Sequence, residues 1–325
     1  MLRGGLTMGA CGLLLLAQGC CALQAQTFPP PGKLIDIGGR RVHLYCTGAG
    51  SPTVILTAGG GAFSIDWDLV QPGAARTTRV CSWDRAGLGW SDSGPEDETV
   101  EQTVTDLHAV LVAAREKAPF VLVGASIGGI FIQAYHRTYP KDVAALVFTN
   151  SSNHVGLLVN GKPELLWLLT GDQIRSAFPL PASAKGNMPV REGEPFDRLP
   201  AALQATRLWF DQQFWKNWRP ERERPDEMLS WRKEFLKEFA LTDASQDPPL
   251  GTVPVAVIAS DPAASPSQRN SHEGAAARLD FLSSNTMHVT ATGSGHEIHL
   301  YQPEAVIQTI ARVVSAIRSG SRLSH

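Results

Sequence analysis

Ser126 stands in Gly124-Ala-Ser-Ile-Gly-Gly129, a serine with glycine two residues before it and two after. The apolar run Phe120-Val-Leu-Val123 leads into it and reads as a buried strand, while Ile130–Tyr139 reads as a helix. A chain that turns straight from strand to helix at a serine puts that residue in a cramped backbone conformation. The flanking glycines carry no Cβ to clash, so the hydroxyl is left standing at the rim of the sheet. Such a hydroxyl is placed to act as a nucleophile in acyl transfer.

A free serine hydroxyl is a poor nucleophile at neutral pH and needs a base. Of the nine histidines, His296 is the candidate: it follows Gly293-Ser-Gly295 just after the last strand-like segment, in a loop able to return over the sheet edge. His43, His108, His136 and His288 fall within strands or helices and read as structural, and His299 is expected to point elsewhere. The spacing His296-Glu-Ile-His299 is not that of a zinc helix, which needs histidines four apart. A carboxylate should orient the imidazole. Asp261 directly follows the strand Val253–Ser260, and the chain order Ser126, Asp261, His296 is the one such an arrangement takes. An aspartate before proline is also ordinary turn chemistry. For the oxyanion, Thr57-Ala-Gly-Gly-Gly-Ala62 follows an apolar strand, with the Gly60 and Ile127 amides as the expected donors. That loop lacks the G-x-G-x-x-G spacing of a dinucleotide site.

Strand signals over Lys33–Ile37, Arg41–Cys46, Thr53–Thr57, Arg79–Trp83, Phe120–Val123 and Ala144–Phe148 alternate with helix signals near Asp66–Ala75, Thr99–Lys117 and Ile127–Tyr139. That alternation predicts a mostly parallel sheet covered on both faces. Residues 153–250 then lose the strand signal and carry Trp167, Trp209, Trp215, Trp218 and Trp231 between proline breaks; this stretch is expected to be a mainly helical insertion. Strand signals return at Val253–Ala259 and Met287–Ala291, and Pro303–Ile317 is the last expected helix. The predicted division is therefore a leader over 1–25, a core over 26–152, the insertion over 153–250, and the rest of the core over 251–325. All candidate groups fall at the carboxyl ends of strands, where open α/β sheets hold ligands.

The formal net charge is −2, with 29 basic and 31 acidic side chains and no basic block, which argues against nucleic acid as a partner. Residues 1–25 read as a signal peptide: Arg3, then the uncharged stretch Leu6–Ala17, then small and polar residues. The apolar stretch is too short to span a bilayer, so the mature protein is expected to have no membrane span and to be periplasmic or secreted. Cys20 raises a lipoprotein alternative, against which Gln18 and Ala17 fit poorly. Cys46 and Cys81 remain; they could be bridged in an exported protein or buried separately as small hydrophobes.

With these segments in place the chain resembles the α/β-hydrolase superfamily from about Lys33 to Ser319. The resemblance rests on Thr53–Gly61, Gly124–Gly129, Gly293–His299 and the Asp84-Arg-Ala-Gly-Leu-Gly-Trp-Ser91 loop, which is especially like that of esterase and lyase-like members. It implies a sheet of eight strands in the order 1-2-4-3-5-6-7-8, often with a helical cap after strand six, where the insertion lies. Strands two and four would then be neighbours, which favours a Cys46–Cys81 disulfide. Three positions depart from the family pattern. Ala125 replaces a frequent histidine, and Ala58-Gly59 replaces the usual His-Gly of the oxyanion loop. The acid commonly sits a little beyond Asp261, where this chain has Ala263. The alternative acid position at the end of strand six is Asn150, which cannot carry the charge; Glu273 and Asp280 are weaker candidates.

The expected activity is a cofactor- and metal-independent serine hydrolase acting on a carboxylic ester with an apolar part. A peptidase, lactonase or C–C bond hydrolase would use the same residues. The serine argues against the carboxylate nucleophile of dehalogenases and epoxide hydrolases. A non-catalytic binding protein that kept the pocket is the alternative from another class. Oligomeric state is not readable from the sequence.

Overall fold

The computed structural model describes residues 28–94, 99–151, 156–159, 162–165, 170–176, 193–217, 229–230, 232–233, 250–260 and 282–323. The leader, Asp261, Glu273, Asp280, Trp167, Trp218 and Trp231 lie outside the described residues.

The described strands are β1 (Lys33–Asp36), β2 (Arg41–Thr47), β3 (Thr53–Thr57), β4 (Val80–Trp83), β5 (Phe120–Ala125), β6 (Val143–Thr149), β7 (Gly156–Val159), β8 (Lys162–Leu165), β9 (Val255–Ser260) and β10 (Thr286–Ala291). The described α-helices are α1 (Gln71–Ala74), α2 (Val100–Ala113), α3 (Gly128–Thr138), α4 (Gly171–Ser176), α5 (Ala201–Asn217), α6 (Ile298–Tyr301) and α7 (Pro303–Ser319). Eight strands form one sheet in the order β1-β2-β4-β3-β5-β6-β9-β10. Strand β2 is antiparallel to both its neighbours, and the other pairings are parallel. Setting aside the separate β7–β8 hairpin, this is the order the resemblance implies.

Alternate residues of each central strand serve opposite faces, so both faces need cover. Ile55, Leu122, Leu146 and Phe148 pack with Val104, Leu107 and Leu111 of α2 and Ile130, Phe131 and Tyr135 of α3. Val54, Leu56, Val121, Val123 and Val147 pack on the other side with Val306, Ile310, Val313 and Val314 of α7. Each such side chain, fully buried, contributes about 1.5–3 kcal/mol, and this two-sided burial holds the strand ends that carry the site. Thr99 caps α2, its hydroxyl accepting from the Gln102 amide at 3.1 Å.

Two expectations are corrected. The helix expected over Asp66–Ala75 is a 3₁₀ turn at Ser64–Trp67 followed by the separate α1. The Asp66 carboxylate turns back to accept from the Phe63 amide (3.1 Å), and Pro72, lacking an N–H, starts the helix afresh. The stretch read as lacking strands contains the β7–β8 hairpin, with Val159 opposite Lys162. Its two-residue link is Asn160-Gly161, a strong short-range hairpin signal that the helical reading passed over.

Cys46 and Cys81 face each other across antiparallel β2 and β4 and are joined by a disulfide. Their neighbour Glu116 is held by Arg79 through two 2.7 Å hydrogen bonds. The bridge leaves no thiolate there to ligate a metal.

Candidate active site

Ser126 sits where β5 passes into α3, with φ of +53°. For a residue with a side chain that conformation costs about 1–3 kcal/mol and persists only where the surroundings fix it. Its amide donates to the Thr149 carbonyl, and its own carbonyl accepts from the Gly129 amide, both at 3.1 Å. The glycines of the motif are required by close approach. A Cβ on Gly124 would come within 2.6 Å of the Gly128 carbonyl group, and one on Gly128 within 2.6 Å of the Thr57 carbonyl oxygen. These obstacles are backbone atoms that cannot yield.

The glycine loop after β3 lies over this turn. A Cβ on Gly59 would stand 3.1 Å from Ser126 Cβ, and one on Gly60 would stand 3.6 Å from Ile127 Cδ1. The structure therefore brings Gly60 and Ile127 together beside the serine. Ile127 is the residue preceding α3, so its amide is among those that helix geometry leaves without an intrahelical acceptor, at the end that favours negative charge.

Arg85 braces this loop. Its guanidinium is buried, 5.0 Å from the Phe131 ring centre, and donates to the Ala58 carbonyl (2.7 Å) and the Gly59 carbonyl (2.9 Å). In a planar trans peptide the N–H opposes the C=O, so drawing these carbonyls toward Arg85 turns the Gly59 and Gly60 amides the other way. The sequence reading missed this role. Its signals were the Asp84-Arg85 loop itself and the histidine missing at Ala58. Asp84, also buried, accepts from the Ser64 amide (2.7 Å) and the Trp90 amide (3.0 Å) and lies 2.9 Å from His43 Nδ1. His43 Nε2 accepts from the Gly32 amide at 3.2 Å, which gives that histidine a structural place.

His296 follows β10 in the loop that enters α6 and is half-buried. The amide nitrogen of Asn150 lies 3.0 Å from His296 Nδ1 and donates to the His296 carbonyl at 3.0 Å. The Asn150 side-chain oxygen accepts from the Ser260 hydroxyl at 3.2 Å, and its main-chain amide donates to the Ile258 carbonyl at 2.8 Å. Asn150 is 5% exposed and has φ of +44°, a conformation asparagine tolerates better than most residues. The position set aside because it cannot carry charge is thus in contact with the imidazole. Its legible signal was its place at the end of β6, one strand from the serine turn. His299 points away, its ring centre 4.8 Å from that of buried Trp67.

The sequence profile of the Alpha/beta hydrolase family matches residues 54–309. The chain belongs to the alpha/beta hydrolase family. Among curated relatives, it is 33% identical over 130 residues to the 2-hydroxymuconate semialdehyde hydrolase of Pseudomonas sp. strain CF600, covering 39% of this chain and 46% of that one. Another curated relative, from Bacillus subtilis, is covered over 36% of its length. The chain thus matches less than half the length of either relative. Two solved structures share the fold. A meta-cleavage product hydrolase from Pseudomonas fluorescens IP01 has a TM-score of 0.58 at 18% identity, over 87% of this chain and 97% of that one. An esterase from Thermogutta terrifontis has a TM-score of 0.61 at 19% identity, over 86% and 94%.

Around this site the hydrolase has a second feature, a cavity of about 330 Å³ lined by residues between Gly193 and Leu208, including Phe196, Leu199 and Arg207. Ser126, Asn150 and His296 are not among the residues that line it. No described helix is long and apolar enough to cross a membrane.

Proposed function

We propose that this hydrolase cleaves a carboxylic ester of a small molecule through an acyl-enzyme on Ser126. The observation that carries the reading is the left-handed Ser126 beneath the glycine loop, whose Ala58 and Gly59 carbonyls are held by Arg85 so that the Gly59 and Gly60 amides point the other way. The Ser126 hydroxyl attacks the carbonyl carbon while His296 takes its proton and then delivers it to the leaving alcohol. The Gly60 and Ile127 amides receive the negative charge that develops on the carbonyl oxygen. Water, deprotonated by His296, then releases the acid. Asn150 holds the main chain of His296 in place through its carbonyl, and Asp261 supplies the carboxylate that accepts from the imidazole and offsets the imidazolium charge. The segment between β6 and β9 serves as a cap over the site. Export after removal of a leader is part of the proposal, supported by the Cys46–Cys81 bridge, which suits an oxidising compartment.

The test is Ser126→Ala. Turnover of p-nitrophenyl acetate and butyrate should fall about 10⁴-fold or more with an unchanged melting temperature. Wild-type turnover by that variant would sink the reading. Cleavage of a carbon–carbon bond by the same residues is the second reading, favoured by the 33% identity to the semialdehyde hydrolase. A panel containing both esters and a ring-fission dienoate separates the two by kcat/KM.

A further inference from the structure

Arg207 belongs to α5, in the segment between β6 and β9, yet its guanidinium is 1% exposed and reaches into the hydrolase core. It pairs with Asp66, equally buried on the 3₁₀ turn after β3, and donates to the Gly61 carbonyl at 3.3 Å. It lies 5.0 Å from the Phe63 ring centre and 5.2 Å from that of Phe196, with Asp211 of the same helix 3.6 Å away. The apolar docking of α5 does not need this ion. Phe210 already packs at 5.3 Å on Phe63 and 5.0 Å on Trp90, both in the core. A buried ion pair roughly breaks even against well-packed apolar residues, so its stabilising value does not account for its presence. What it adds is a defined contact with the loop that carries the proposed oxyanion amides.

The contacts of Arg85 and Arg207 divide that loop between them. Arg85, from the core, holds the Ala58 and Gly59 carbonyls; Arg207, from α5, holds the next carbonyl but one, that of Gly61. By the planarity of the peptide, fixing the Gly59 and Gly61 carbonyls fixes the amides of Gly60 and Ala62 and so the tilt of the whole turn. We propose that Arg207 is a positioning residue that links α5 to the oxyanion loop, so that the loop reaches its stabilising geometry only with the guanidinium seated on Asp66 and the Gly61 carbonyl. The proposal rests on the serine-hydrolase reading and adds to it a dependence of transition-state stabilisation on the segment outside the sheet.

Arg207→Met keeps the stem and removes the fork and charge. Because it leaves Asp66 buried alone, it is paired with Arg207→Met/Asp66→Asn, which strands no charge. A third variant, Phe210→Ala, weakens the apolar docking of the same helix while leaving the guanidinium. Each is assayed well below its own melting temperature for kcat and KM on p-nitrophenyl butyrate. Each is also assayed for the affinity of phenylboronic acid, whose tetrahedral adduct on a serine places an oxygen in the oxyanion position. Both Arg207 variants should lose about 10²-fold in kcat with little change in KM, and boronate affinity should fall in parallel. Phe210→Ala should lower the melting temperature and leave kcat of the folded protein near wild type. Wild-type kcat and boronate affinity in the double variant would overturn the proposal, as would an equal loss in Phe210→Ala. Failure of the wild-type protein to bind the boronate or turn over any ester would instead overturn the hydrolase reading.

Discussion

The two ends of the proposed proton path are held in different ways. At the serine end the backbone interlocks: β5, the turn, α3 and the end of β3 approach within a distance that excludes a Cβ at Gly124 and Gly128. At the histidine end, among the described residues, a buried side chain takes part in the holding, as Asn150 reaches both the ring and the carbonyl of His296 and is itself steadied by Ser260. A steric interlock has no graded response, because repulsion between backbone atoms rises steeply. A hydrogen-bonded brace loses about 0.5–1.5 kcal/mol per bond and leaves the rest standing. The serine turn should therefore tolerate almost no substitution around it, and the seat of His296 should loosen by steps.

The largest effect that can break this contrast is expected at Gly128. Gly128→Ala sets a methyl group against the Thr57 carbonyl, which should cost about 1–3 kcal/mol in chemical denaturation and about 10²-fold in kcat as the Ser126 turn shifts. A Gly128→Ala enzyme of unaltered kcat would mean that the interlock is not what positions the hydroxyl. Asn150→Ala comes next, with a loss of roughly tenfold in kcat at similar KM, on the scale of a lost hydrogen bond. Ser260→Ala should cost less than that alone and nothing further in the Asn150→Ala background, since its hydroxyl acts through Asn150. Additive losses in that cycle would show that Ser260 reaches His296 by another route.

The smallest effect concerns pH and sharpens the contrast from the serine side. His136, in the last turn of α3, has its pKa held below the ordinary histidine value by burial, with a further push from the Arg137 charge. The unfolded chain then takes up a proton near pH 6.5 that the folded chain refuses. Stability associated with this group is complete above that pH and is lost as pH falls toward the depressed folded value. His136→Gln should flatten the acid side of the stability curve measured by denaturant titration, leaving the value at pH 8 little changed. An identical slope in the two proteins would remove His136 as the cause.

Legibility in the sequence followed the range of the interaction. The β5–Ser126–α3 turn could be read because its strand, glycines and helix are contiguous. The sheet order follows from the family resemblance, whereas the β7–β8 hairpin has a local signal in Asn160-Gly161 that stands among tryptophans and prolines with no alternating strand pattern around it. Asn150 was judged by what its own side chain cannot do, carry a charge. Its contact with His296 depends on the ends of β6 and β9 meeting the loop after β10. Arg207 carried no motif at all; only the docking of α5 on Phe63 and Trp90 sets its guanidinium beside Gly61.

By itself, then, the sequence determined the strained serine turn and the glycine loop that faces it, since short-range sterics leave Gly-x-Ser-x-Gly between strand and helix few other conformations. Tertiary structure alone decided how that chemistry is braced: Arg85 on the Ala58 and Gly59 carbonyls, Asn150 on the His296 carbonyl, Arg207 from α5 onto Gly61. Those partners are far apart along the chain and meet only when the sheet is assembled. Hydrogen bonds between such groups leave no periodicity or spacing in the sequence to announce them.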